Sequence, residues 1–147
     1  MKQFVAHMSH VEGQDAFFPG APRPGNNVLL TRNEVSAASL KVYDETSSTP
    51  TVAVHSATLD VGANPPGATF NECMFLTPQY DDWYDFAGGY TFMYRLQDAD
   101  YHLDGGKTYR VEVTLTAGHP TATYPQWSSY GNLILVWIVR VQPTTGA

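Results

Sequence analysis

Five histidines, at positions 7, 10, 55, 102 and 119, are the first residues to test for chemistry, because imidazole serves both as a metal ligand and as an acid or base near neutral pH. His7 and His10 stand three apart in an extended stretch, and that spacing points them to opposite faces. His55, His102 and His119 each lack a second His or Cys at ligand spacing, so the sequence predicts no metal site. Asp98, Asp100 and Asp104, followed by Gly105, look like the first half of a calcium loop but lack the bidentate Glu that closes one. Their simpler role is to solvate a turn and accept its N–H groups. Asp81, Asp82 and Asp85 surround Tyr80, Trp83 and Tyr84. A glycosidase holds its two carboxylates on separate rigid elements across a cleft. Three acids packed into one loop make instead a charged rim around an aromatic plug. Tyr80, Trp83 and Tyr84 thus form a candidate contact platform, on which a sugar ring could stack.

Nucleophilic chemistry finds no support in the residue pattern. Cys73 has no basic neighbour in Asn71-Glu72-Cys73-Met74-Phe75 to lower its pKa, and no Ser lies in a Gly-x-Ser-x-Gly elbow. Asp104-Gly105-Gly106-Lys107 is a turn without the helix that a phosphate loop requires. The expectation is a protein without catalytic residues and without a cofactor, and hence not an enzyme.

The elements that would position these residues read as strands. Ser39 to Tyr43, Thr51 to His55, Thr58 to Val61 and Gly89 to Leu96 carry strand signals of varying strength. Tyr109 to Thr116 alternates most cleanly, with Tyr109, Val111, Val113 and Leu115 on one face and Arg110, Glu112, Thr114 and Thr116 on the other. Leu133 to Val141 is apolar on both faces until Arg140, so it is either a covered central strand or one whose outer face meets a partner. Turns rich in Gly, Pro, Asp and Asn separate these segments, and the only helical signal is a turn or two over 77–85, where Thr77 could cap and Pro78 could stand first. The fold class expected is all-β: a single β-sandwich, Ig-like or jelly roll, over residues 27–147.

Residues 1–26 read differently. Phe4, Val5, Phe17 and Phe18 are apolar, and the run Pro19-Gly20-Ala21-Pro22-Arg23-Pro24-Gly25 forbids helix and resists sheet, because three prolines lack the N–H donor. This predicts an extended N-terminal arm with Phe4, Val5, Phe17 and Phe18 as partner-binding anchors, docked either on its own sandwich or on a neighbour.

Composition narrows the partners. At 147 residues the chain suits one domain. Charged residues are only 15% of it, against roughly 25% in typical soluble domains. Such a surface is cheap to desolvate and favours lasting protein–protein contact. The net charge is −6 with no basic run, which argues against nucleic acid as a partner. The longest apolar run, Leu133 to Val139, falls far short of the ~20 residues of a membrane helix, so no membrane partner is expected. The lone Cys73 allows no internal disulfide, and MKQFVAHMSH has no signal-peptide core; both predict synthesis in the cytoplasm.

Two resemblances sharpen the reading. Leu103-Asp104-Gly105-Gly106-Lys107-Thr108-Tyr109 resembles the tyrosine corner of immunoglobulin-like sandwiches, with Leu103 and Tyr109 as its structural residues. The stretch 26–44 (NNVLLTRNEVSAASLKVYD), Trp83 with Gly89-Tyr90-Thr91-Phe92, and Tyr109 to Val113 together look like small virion-associated proteins of tailed bacteriophages. That resemblance implies a structural role in a virion: a decoration or cement protein on the capsid, binding the major capsid protein and self-associating, or else a tail or baseplate component. A carbohydrate-binding module built on the aromatic loop is the rival from another class, with a glycan as its partner. A metal-dependent enzyme of cupin-like fold is disfavoured by the histidine spacing.

Overall fold

A computed structural model describes residues 2–23, 29–61, 73–80, 88–117 and 132–144. Eight strands are formed among them: β1 Lys2–Val11, β2 Ala16–Gly20, β3 Val35–Asp44, β4 Ala53–Leu59, β5 Met74–Gln79, β6 Tyr90–Leu96, β7 Thr108–Ala117 and β8 Asn132–Gln142. A short 3-10 turn, Arg32–Glu34, leads into β3. The strands make two packed sheets, one ordered β1-β8-β7-β3-β4 and the other β2-β6-β5. All pairings are antiparallel except that of β1 with β8. The order β8-β7-β3-β4 facing β2-β6-β5 has the connectivity of the G-F-C-C′ and B-E-D sheets of immunoglobulin-type sandwiches.

Alternation in the sequence becomes the inner face of the larger sheet. Leu40 and Val42 of β3, Val111, Val113 and Leu115 of β7, and Leu133, Leu135, Trp137 and Val139 of β8 are fully buried. The smaller sheet answers with Phe18, Met74, Phe92 and Leu96. The Trp137 ring is the centre of this layer. It stacks on Phe92 at 5.6 Å and tilts against Phe18 at 5.5 Å, and its indole N–H donates to the Pro19 carbonyl at 2.8 Å. A buried Trp needs such an acceptor. Gly20 makes this contact close: a Cβ there would stand 3.0 Å from Leu135 Cδ1 and 3.3 Å from Trp137 Cζ2, tighter than ordinary packing.

β8 lies between β1 and β7 in the larger sheet. Its inner face is core, and on the outer face Val136 is buried while Ile134 and Ile138 are half-buried. The two weak signals over 51–55 and 58–61 are one edge strand, β4, with a register irregularity between Val42 and Tyr43 of its partner β3.

Residues 2–11 and 16–20, expected as an extended arm docked on its own sandwich or on a neighbour, are extended and pair within the sandwich: β1 with β8 and β2 with β6, so this segment supplies one edge strand to each sheet. Pro19 is tolerated because β2 is an edge strand and the missing N–H interrupts no inner ladder. Phe18 is accordingly a core residue and no partner anchor. The helical turn expected from Thr77 does not begin there: Thr77 and Pro78 belong to β5, again an edge strand. β5 is fixed by the buried Met74, whose carbonyl accepts the Arg32 Nε and Nη2 protons at 2.9 and 2.7 Å, and by Phe75, edge-on to Tyr90 at 6.0 Å.

Candidate functional site

β1 is the outermost strand of the larger sheet, and among the described residues no strand pairs with its far side. Alternation along it turns Ala6, Met8 and His10 toward the core and Val5, His7, Ser9 and Val11 outward. Val5 is 57% exposed and Val11 43%. Phe17, just beyond the turn into β2, is also 43% exposed. Beside this edge, His7, Met8, Ser9, Ile138 and Arg140 line a shallow groove. Of the four expected anchors, Val5 and Phe17 are therefore accessible and Phe18 is not, while the Phe4 side chain lies outside the described residues. Val11 was not singled out in the sequence, and only its place on the outer face of β1 reveals it.

The expected aromatic platform is described only at Tyr80, which is 75% exposed; Trp83 and Tyr84 lie outside the described residues. Cys73 is buried, and burial pushes its thiol up to about 12, so it stays protonated and unreactive at neutral pH.

The corner residues are together as their spacing suggests. Tyr109 is buried, and its hydroxyl accepts the Asp104 N–H at 3.0 Å across the turn that Leu103 anchors in the core. Tyr101 meets the Tyr109 ring edge-on at 6.4 Å and stacks on His55 of β4 at 5.0 Å. This fixes the β6–β7 connection, residues 97–107, against the sandwich.

A polar cluster is built on that fixed connection. His102 Nδ1 lies 2.7 Å from Asp98 Oδ1, and its Nε2 lies 3.0 Å from Glu12 Oε2 and 3.8 Å from Asp104 Oδ1. Glu12 belongs to the turn that carries the chain from β1 to β2, and its Oε2 also accepts the Gly105 N–H at 2.8 Å. Gly105 has to be glycine for this approach: a Cβ would fall 2.7 Å from Pro143 Cα and 2.8 Å from Glu12 Oε1. Asp15 closes the other side, accepting the Asp98 N–H at 2.9 Å and the Arg95 Nε and Nη2 protons at 2.9 and 2.6 Å. The hydrogen bond to Asp98, then that to Glu12, raises the His102 pKa. The Gly105 N–H, then His102, lowers that of Glu12. His10, one strand turn away, is shifted the other way, chiefly by burial.

Sequence reading left His102 without a partner because Glu12 is 90 positions away. No local spacing signals that pair; only the crossing of β1 into the second sheet brings it together. Asp98 and Asp104 do gather around one point, as a loop of acids might, but around an imidazole ring rather than in a calcium-loop pattern. Compared with protein-family models, with curated proteins and with solved structures, the chain matches none.

Proposed function

We propose that this chain is a non-enzymatic structural protein of a viral particle, a capsid decoration or cement protein that docks on the capsid lattice by adding its β1 edge to a neighbouring surface. The observation that carries the reading is β1 itself. Among the described residues no strand pairs with its outer side, its stretch from Phe4 to Val11 has neither proline nor a formally charged residue, and Val5 and Val11 are exposed. Solitary domains blunt such edges with Lys, Pro or a covering loop. An edge left without charge or proline suits strand addition, in which backbone bonds give affinity and alternate side chains give specificity. Completing the burial of Val5 and Val11, each already half-buried, contributes about 1 kcal/mol apiece, or about 2 kcal/mol together. That corresponds to roughly 30-fold in affinity. The low charge content of the chain and its resemblance to virion-associated proteins support the same role. A place in the tail or baseplate would use the same edge.

Co-sedimentation with particles lacking the protein tests the proposal. Val5→Lys alters only an exposed side chain, so the variant should melt like the parent while particle binding falls ~10-fold or more. Unchanged co-sedimentation of a Val5→Lys, Val11→Lys double variant removes β1 as the docking edge. The exposed Tyr80 keeps one second reading in play, a carbohydrate-binding surface, and retention on a glycan array by the isolated protein would favour it.

A further inference from the structure

We propose that Glu12, His102 and Asp104 form a binding site for a divalent transition metal of the zinc type. Three donor atoms converge: Glu12 Oε2, His102 Nε2 and Asp104 Oδ1 all lie within 4.8 Å of one another. The imidazole nitrogen is 3.0 Å from the first oxygen and 3.8 Å from the second. Tetrahedral zinc, with bonds of about 2.0–2.2 Å, holds its ligand atoms about 3.4 Å apart. The two separations from the imidazole nitrogen lie on either side of that value.

The orientation of the ring is an independent pointer. Metal-bound imidazoles characteristically donate their other N–H to a carboxylate, which fixes the tautomer and makes the coordinating nitrogen more basic. Asp98 stands in that position, 2.7 Å from His102 Nδ1. With the proton of Nδ1 committed to Asp98, Nε2 turns a lone pair toward two carboxylates. Acceptors facing acceptors require a cation between them, either a proton on Nε2 or a metal ion in its place. The donors are also held from behind. Gly105 N–H fixes Glu12, the Asp98 backbone N–H is bound by Asp15, and Lys107 Nζ lies 3.4 Å from Asp104 Oδ2, leaving Oδ1 for the ion. All three side chains reach solvent, so an ion can enter and a water can complete its coordination. One nitrogen with two oxygens is a borderline donor set that suits zinc better than calcium, which takes six to eight oxygens.

The probe is ZnCl2, titrated calorimetrically into the full chain near pH 7.5, with parallel NMR spectra of the histidine ring protons. One equivalent should bind, with the largest shifts on His102. His102→Gln should abolish that equivalent, and Asp104→Asn, which changes an exposed side chain, should weaken it. Asp98→Asn, remote from the ion, should weaken it ~10–100-fold, the loss expected when such a supporting carboxylate is removed. Each variant is to melt as a folded protein before its titration is interpreted. Absence of zinc binding by the wild type would leave a proton as the only bridging cation and overturn the site. So would undiminished binding by both His102→Gln and Asp104→Asn, which would place the ion elsewhere. Displacement of zinc by an equal concentration of calcium would likewise overturn the transition-metal assignment.

Discussion

Replacing Tyr109 by Phe removes one oxygen from the base of β7 and leaves the packing of the ring intact. In the native protein that oxygen accepts the Asp104 N–H at 3.0 Å, and the ring is buried against Tyr101 and the core. A net hydrogen bond of this kind contributes about 1 kcal/mol, and an N–H stranded away from water raises the cost to about 3 kcal/mol. The bond is only part-buried, so the lower figure is the expected one. With a urea m-value of about 2 kcal/mol/M, the midpoint should fall by roughly 0.5 M with the slope unchanged. The melting temperature should drop by roughly 4 °C. Tyr109→Ala, by contrast, also empties a core site and should cost about 3–5 kcal/mol. Equal midpoints for the wild type and Tyr109→Phe would show that the corner bond contributes nothing, and the β6–β7 connection would then owe its position to Leu103 and Tyr101 alone. A loss near that of Tyr109→Ala would show instead that the ring itself had been displaced.

Gly20→Ala forces a methyl against Leu135 and Trp137 where the sheets meet, and overpacking of this kind should cost about 1–3 kcal/mol, read as a lower urea midpoint. Asp44 accepts the Thr46 hydroxyl and N–H and faces Lys107 Nζ at 3.2 Å, and the Thr46 hydroxyl is the largest cause of its lowered pKa. Because the folded value lies below the unfolded one, its contribution is complete above the ordinary aspartate pKa of about 4 and is lost as the pH falls through the folded value. Asp44→Asn should therefore be less stable than the wild type at pH 7, and the two should converge toward pH 2; parallel stability–pH curves down to that point would refute the assignment.

The strands legible in the sequence are those whose burial is one-sided or complete. β7 alternates because one face is core and the other wet, and β8 is apolar from Leu133 to Val139 with strands on both sides, its inner face core and Val136 buried on the outer one. β1 escaped notice since its outer residues, Val5, His7, Ser9 and Val11, mix apolar with polar, and its partner β8 is the last strand in chain order. β2 was hidden by Pro19 and Gly20, which punctuate a loop in most contexts but here serve an edge strand and a close sheet contact. β5 was hidden by Thr77-Pro78, a helix-opening pair that tertiary anchoring through Met74 holds extended. The tyrosine corner is a local pattern and could be read from seven consecutive residues. The cluster around His102 could not, because its geometry depends on a turn contributed from the other end of the chain.

The parallel pairing of β1 with β8 has a mechanical consequence. Eight consecutive residues of β1, Phe4 to Val11, are matched to β8 in one run, and both strands point the same way. A pull that draws the start of β1 away from the end of β8 therefore acts along the strands, and the hydrogen bonds between them are strained together instead of opening one after another. Forced unfolding is governed by the height of that barrier and not by equilibrium stability. The load is shared further, since the turn after β1 is tied to the end of β8 by the Glu12 N–H to the Gln142 carbonyl at 2.9 Å. Tension across these two strands meets the molecule in shear, the direction in which a ladder of short bonds resists best, whereas a pull across the sheet would unzip the same ladder bond by bond.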